Sequence, residues 1–387
     1  MKTIVNEGSI RLKIPKAEKI SKEMGVFYNP VMSLNRDISI LLLNSVNKNN
    51  MQIADVLAAT GVRSIRFLKE LRKNKIKKIY INDYDKDAIK LIKQNLTLNE
   101  IKYKNNNKIF LSNDDANLFL LNSTGFDYID IDPFGTPNPF LDAACKRIAR
   151  NGILAVTATD TSALCGTFPK ACIRKYWAIP KRDATMHETG LRILIRKIQL
   201  VAAQYGKALI PTFSYSKEHY MRVFLRNDKG KDKVDEILKQ HGLFNNAGPM
   251  WLGKLWDKDL CNKILNNALK NDIFNTRENQ SNASELANSL TTDGFSAPRN
   301  FEKISRENKE LITLLKIIKE ESKINSVGFY DLHNIYEINK IKHLQKKETI
   351  INKIKKFGYK ASDTHFKGEG IRSDIPYSKL VHALKKE

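Results

Sequence analysis

The segment Asp130-Ile131-Asp132-Pro133-Phe134-Gly135-Thr136-Pro137 sets a carboxylate and an aromatic ring beside the Pro and Gly that fold a chain sharply back. Such a set could work on an aromatic amino group. An amino nitrogen attached to a ring is a poor nucleophile, because its lone pair is delocalised into the ring. The Asp132 carboxylate can accept one N–H, and a nearby backbone carbonyl, that of Pro133, the other. Both bonds return electron density to nitrogen and aim its lone pair at an electrophile. Phe134 can stack on the base and hold it in line. Pro and Gly make the turn tight enough to bring side-chain and main-chain acceptors together. A purely structural turn is the other use of such a segment.

A second set lies upstream. Asp55-Val56-Leu57-Ala58-Ala59-Thr60-Gly61-Val62-Arg63 reads as a strand turning through Gly61 into a helix. It lacks the G-x-G-x-x-G of dinucleotide folds, and a lone glycine there is more often a structural turn. Its sequel changes that reading. Asp83 ends the next strand-like segment, where an acid can accept both hydroxyls of a ribose. Asp114-Asp115-Ala116-Asn117 follows the third, where an Asp can accept from an adenine amino group. Any one of these acids could cap a helix. Three successive strand ends carrying them point to an adenosine-type cofactor.

The elements that must position these groups alternate. Residues 53–58, 78–83, 126–132 and 152–157 are strand-like; 63–71, 86–98, 139–149 and 185–205 are helix-like, and 220–226 is a late strand. This pattern predicts an α/β, doubly wound sheet with ligands beyond the carboxyl ends of its strands. Near Asn227-Asp228-Lys229-Gly230-Lys231 the composition turns polar, which places a domain boundary there: 1–228 and 229–387. Beyond it helices are expected at 233–241, 258–270, 284–290 and 305–322. From Val327 onward a short element at 331–339, a basic helix at 347–357, two strand-like pieces and a final helix resemble a winged-helix arrangement.

Sixty-six Lys and Arg against 42 Asp and Glu give a net charge of +24, spread over both halves. Such an excess favours a polyanionic partner, since each neutralised phosphate releases counterions; a Lys-rich compositional bias is the alternative. The four cysteines, Cys145, Cys165, Cys172 and Cys261, form no CxxC pair, so neither a disulfide framework nor a metal site is expected. No apolar run approaches a membrane span, and the first residues lack a signal-peptide core, so a cytoplasmic protein without membrane partner is expected. No obligate protein partner is evident.

Taken together, Phe27-Tyr28-Asn29-Pro30-Val31-Met32, continuing through Asn35-Arg36-Asp37, Asp132-Pro133-Phe134-Gly135-Thr136-Pro137, Thr157-Ala158-Thr159-Asp160-Thr161, His187-Glu188-Thr189-Gly190-Leu191-Arg192 and Tyr330-Asp331-Leu332-His333 resemble the tRNA (guanine-26-N2)-dimethyltransferase family over nearly the whole chain. The resemblance implies a Rossmann-like methyltransferase domain (1–228), then a smaller, mostly helical α+β domain (229–387) that binds tRNA. It implies S-adenosylmethionine as cofactor and tRNA as partner. Asp132, Pro133 and Phe134 would be catalytic. Arg36 would bind the methionine carboxylate, as Arg63 could, with Gly61 at the cofactor turn; Asp83, Asp114, Asp115 and Ala116 would hold ribose and adenine. Phe27 would help enclose the base, and His187 would either contact it or pack in the core. Arg66 is expected in solvent. Glu188, Arg192 and Arg196, at i, i+4 spacing, are expected to form a solvated ladder.

One departure stands out. Family members often carry paired cysteines before a Gly-Pro-x-Trp-x-Gly segment. Here Gly248-Pro249-Met250-Trp251-Leu252-Gly253 has only Cys261 nearby, so its loop must be held by ordinary packing. The Asp-Pro-Phe chemistry would serve an adenine N6 in rRNA or DNA equally well, so spacing leaves the base and the number of methyl transfers open. A non-catalytic RNA-binding protein is the reading from another class; the intact set of Asp132, Arg36, Asp83 and Asp115 argues against it.

Overall fold

The computed structural model describes residues 2–15, 26–270 and 299–385. A hairpin opens the chain, β1 (Lys2–Glu7) and β2 (Ile10–Pro15), turning at Gly8. Helix α1 (Ser33–Ser45) starts just past Pro30, where the Asn29 side chain accepts from the Val31 N–H. Then β3 (Met51–Asp55), α2 (Val62–Glu70), β4 (Ile76–Asn82), α3 (Lys86–Leu98), β5 (Ile109–Ser112), α4 (Ala116–Leu121), β6 (Phe126–Ile131), α5 (Asn138–Arg147) and β7 (Ile148–Ala158) alternate. Short helices α6 (Thr161–Leu164) and α7 (Pro169–Tyr176) lead to the long α8 (Met186–Ala203), and β8 (Lys207–Lys217) with β9 (Tyr220–Lys229) completes the sheet.

The seven strands run in the order β5-β4-β3-β6-β7-β9-β8, the first five parallel, with β9 antiparallel to both neighbours. The sheet is covered on both faces, so its strands are apolar throughout instead of alternating. Ile79, Ile81, Ile129, Ile131, Leu154 and Val156 are fully buried, each worth roughly 1.5–3 kcal/mol. Strands β3 and β6 are neighbours although β4 and β5 separate them in sequence. The strand order therefore reverses between Asp55 and Asp132, where a doubly wound sheet opens a crevice.

Beyond β9 come α9 (Lys231–Leu238), the hairpin β10 (His241–Phe244) and β11 (Ala247–Trp251), α10 (Lys258–Lys270) and α11 (Arg299–Glu321). The polar stretch at 227–231 is the turn into α9, and the main apolar cluster runs through it, taking in Val234, Met250, Trp256, Ile264 and Ile318. A separate apolar cluster, from Leu332 to Leu384, is built by β12 (Tyr330–Asp331), α12 (Leu332–Ile338), α13 (Lys347–Lys356), β13 (Ala361–Asp363), β14 (Gly370–Ser373) and α14 (Tyr377–Lys385). Its strands form an antiparallel sheet of order β12-β14-β13. The helix expected at 284–290 lies outside the described residues.

The ladder on α8 is not solvated. Glu188 and Arg192 are buried because Glu188 meets Arg372, which β14 carries from 184 residues away (Nη2 to Oε2, 2.6 Å). Arg192 also donates to the carbonyls of Trp251 (3.0 Å) and Gly253 (2.8 Å). The loop that lacks the cysteine pair is thus held by a buried guanidinium, beyond ordinary packing.

Candidate active site

A cavity of about 350 Å³ opens at the carboxyl ends of β3 and β6. Its walls bring together Phe27, Arg36, Arg63, Asp132, Pro133 and Phe134 from four separate stretches of sequence. The loop that carries Asp132 is fixed from beneath. Gly135, at φ +78°, donates its N–H to Thr159 Oγ1 (2.6 Å), and the Thr159 N–H donates to the Gly135 carbonyl (2.9 Å). The rings of Phe27 and Phe134 meet edge to face with centroids 4.0 Å apart, and Phe134 is 42% exposed, so one of its faces is free.

Beneath the loop lies a cluster of buried charges. Arg222 of β9 grips Asp130 with two bonds (3.0 and 2.6 Å), and Tyr128 adds a third (2.5 Å). Arg63 donates to Asn35 (3.1 Å), Ser39 (3.0 Å) and Asp132 Oδ2, and lies 3.4 Å from Asp130. Arg63 therefore meets a carboxylate of the protein itself. Asp132 Oδ1 accepts no hydrogen bond among the described residues. Asp55 is the third acid, bonded to Ser64 (2.7 Å). Burial pushes its carboxyl up to about 7; Arg63 opposes this, and Asp130 and Asp132 add to it.

Arg36 is also on the cavity wall, and it is buried. Its guanidinium forms two bonds to Glu7 (2.6 and 2.5 Å) and one to the Asn29 carbonyl (3.0 Å). Burial would raise Glu7; Arg36 and Arg66 outweigh it and hold the carboxyl at about 2. Arg66, expected in solvent, is fully buried, because Glu7, Asp37 (2.6 Å) and Glu70 (2.8 Å) surround it.

Gly61 holds φ +76°, and a Cβ there would sit 3.1 Å from Ile92, so the turn after β3 requires glycine. Asp83 is one hydrogen bond from the cavity lining. Its Oδ2 accepts the Ala59 N–H (2.7 Å) and Oδ1 that of Asp85 (2.9 Å); burial raises its pKa against these bonds. Asp114 is exposed and bonded to Ser112. Asp115 caps α4 through the N–H groups of Asn117 (2.9 Å) and Leu118 (3.1 Å), with Ala116 buried behind it. These four stand at neighbouring strand ends, outside the cavity wall. His187 lies off the wall too, half-buried, with Nδ1 3.5 Å from Cys165 Sγ.

Asp55, Arg222 and the tip of the β8–β9 hairpin, Glu218, His219 and Tyr220, went unnoticed in the sequence, yet all line or support the cavity. A hairpin running antiparallel to β7 returns its turn to the carboxyl ends of the parallel strands, and that direction is the signal that could have found them.

The model of the N2,N2-dimethylguanosine tRNA methyltransferase family matches residues 8–246 and 296–385. The tRNA (guanine(26)-N(2)/guanine(27)-N(2))-dimethyltransferase of Aquifex aeolicus is 35% identical, covering 99% of this chain and 95% of the relative. The tRNA (guanine(26)-N(2))-dimethyltransferase of Pyrococcus abyssi is 35% identical over 98% of both. The structure of Trm1 from Pyrococcus horikoshii in complex with S-adenosyl-L-methionine superposes with a TM-score of 0.81 at 35% identity, covering 99% of this chain and all of that one.

Proposed function

The chain belongs to the N2,N2-dimethylguanosine tRNA methyltransferase family, and from that premise we propose that it methylates the exocyclic N2 of guanosine 26 in tRNA, using S-adenosylmethionine. The observation that carries the reading is the convergence of Asp132, Phe134, Phe27 and Arg36 on one cavity at the reversal of strand order.

The residues fit the cofactor. Gly61 lets the backbone turn without a side chain in the way, and Asp83 and Asp115 present carboxylates at successive strand ends. Arg36 gives its Nε and Nη2 to Glu7 and Asn29, and its Nη1, bonded to no described residue, suits a carboxylate. When bound, S-adenosylmethionine supplies a methyl group made electrophilic by its sulfonium.

Everything else falls to the protein. The guanine stacks on the free face of Phe134, with Phe27 at its edge. Asp132 Oδ1 accepts one N2–H while Arg63 keeps the carboxylate in place through Oδ2. The Pro133 carbonyl accepts the other N–H, so nitrogen regains its lone pair. The C-terminal part grips the tRNA body, and exposed Lys355 and Lys356 on α13 suit phosphate contacts. Extruding a stacked base costs a few kcal/mol, and binding energy from that grip offsets it. No helix among the described residues is long and apolar enough to cross a membrane.

Incubation of tRNA with the protein and isotopically labelled cofactor, followed by mass spectrometry of nucleosides, should give N2,N2-dimethylguanosine that maps to position 26. Label on adenine would transfer the reading to another base.

A further inference from the structure

The stretch from Phe168 to Arg182, covering α7 and the segment after it, holds five basic residues; Lys175 pairs with Asp160 (3.2 Å) and Lys181 with Asp183 (3.1 Å), while Lys170, Arg174 and Arg182 meet no carboxylate among the described residues. It also shows apolar side chains to solvent: Phe168 is 61% exposed and Trp177 55%. An aromatic exposed among cations is the composition that binds single-stranded nucleic acid, where bases stack and phosphates pair with Lys and Arg.

Trp177 is held in an unusual way. It sits at φ +56°, a conformation that L side chains rarely adopt, at the end of α7. Its carbonyl accepts from Arg196 Nη1 (3.3 Å). The Lys197 ammonium lies 3.0 Å from the centre of its ring, covering one face. Lys197 is only 6% exposed and no carboxylate pairs with it among the described residues; burial, then Arg196, lowers its pKa. One face of the indole is thus fixed from inside and the other is left to solvent.

This surface is bolted to the Asp132 loop. The Tyr176 hydroxyl bonds Thr136 Oγ1 (3.0 Å) and donates to Asp160 (2.6 Å); Asn138 Nδ2 donates to the Lys175 carbonyl (2.8 Å). Whatever binds α7 is positioned relative to the base under attack.

Resting on the reading of an RNA substrate above, we propose that α7 and its following segment dock the RNA strand flanking the target guanosine. One unpaired base stacks on the free face of Trp177, and Lys170 and Arg174 contact phosphates. Extrusion of the target leaves its neighbours unstacked, and Trp177 replaces a lost stacking partner beside the site. A protein partner is disfavoured by three cations, Lys170, Arg174 and Arg182, that no carboxylate neutralises among the described residues.

Trp251 and Trp256 are buried, at 4% and 5% exposed, so tryptophan emission from solvent reports Trp177. Unmodified tRNA titrated into the full-length protein should quench that emission, and Trp177→Phe should remove the quench. Lys170→Glu with Arg174→Glu should raise the Kd for tRNA about tenfold and flatten its salt dependence by about one to two phosphate contacts. Calorimetry showing normal S-adenosylmethionine binding verifies the fold of both variants. Wild-type Kd, salt slope and quench in the variants, with wild-type protein methylating tRNA normally, overturn the docking surface alone. Unchanged tRNA binding with lost self-association overturns it in favour of a protein contact. Failure of the wild-type protein to bind tRNA overturns the underlying reading as well.

Discussion

Among the buried clusters of arginine and carboxylate that hold this molecule together, two differ in balance and in access. At the junction with the C-terminal part, Arg192 and Arg372 face Glu188 and Glu321, charge for charge. All four are sealed, at 2% exposure or less. Under the cavity, Arg63 and Arg222 face three acids, Asp55, Asp130 and Asp132. The odd acid has two outcomes. Asp55 stays deep and is pushed up to about 7, whereas Asp132 reaches the cavity with one oxygen unused. In these two clusters the same residue types build a rivet where charge balances and a reactive site where one acid is in excess.

The sharpest way to break this comparison is to unbalance the rivet. Glu188→Ala would leave Arg372 and Arg192 short of a partner in a dry interior, a loss of about 3–5 kcal/mol, readable in urea unfolding. A change under 1 kcal/mol would show that the junction tolerates imbalance. Next, Asp132→Ala should lower turnover at least ~100-fold with little change in cofactor affinity or stability. Near-wild-type turnover would remove Asp132 from the chemistry.

Acidity separates the clusters further. Arg372 and Arg192 outweigh burial and hold Glu188 at about 2, below its unfolded value of 4.5. Its contribution is therefore present at neutral pH and lost as pH falls from about 4.5 to 2. Asp55 has the opposite sign: raised from 3.8 to about 7, it favours the folded state at low pH and loses that contribution as pH rises to 7. Asp55→Asn should flatten the loss between pH 4 and 7 and make the protein more stable than wild type at pH 8, by thermal unfolding across that range. A variant less stable than wild type at pH 8 would place the ionised form among the stabilising groups.

Smaller effects sharpen the picture at its edges. Asp83→Ala should weaken S-adenosylmethionine binding about tenfold by calorimetry, through loss of a charge-assisted contact, while tRNA affinity holds. Lys355→Glu with Lys356→Glu should raise the KM for tRNA a few-fold and leave cofactor binding alone. An unchanged KM would return those lysines to an ordinary solvated face.

The sequence made one cluster legible and hid the other. Asp132, Pro133, Phe134, Gly61 and Asp83 stand at strand ends marked by turn residues, so local signals found them. Glu188 and Arg192 keep the same spacing on a helix whether wet or buried. Their burial depends on Arg372, which only the folded chain brings close. Arg66 and Glu7 were missed for the same reason: 59 residues separate them. Strand β8 was obscured by Pro211, which speaks against a strand; the ladder accommodates it with a register shift between Pro211 and Phe213.

Strand β9 lies between β7 and β8, so during synthesis β8 waits for β9 before it can take its place in the sheet. When β8 leaves the ribosome it has no neighbour to join, because its place in the sheet exists only after β9 has followed. The two can zip into a local hairpin, a step of about 1–10 μs, and dock on β7 as a unit. Until then the growing chain displays the bare flank of β7, a template for pairing with other chains. Glu218, His219 and Tyr220 ride on the hairpin's tip, so the cavity wall arrives with the strand that closes the sticky flank. A nascent chain halted before Tyr220 is both uncapped and without a finished pocket.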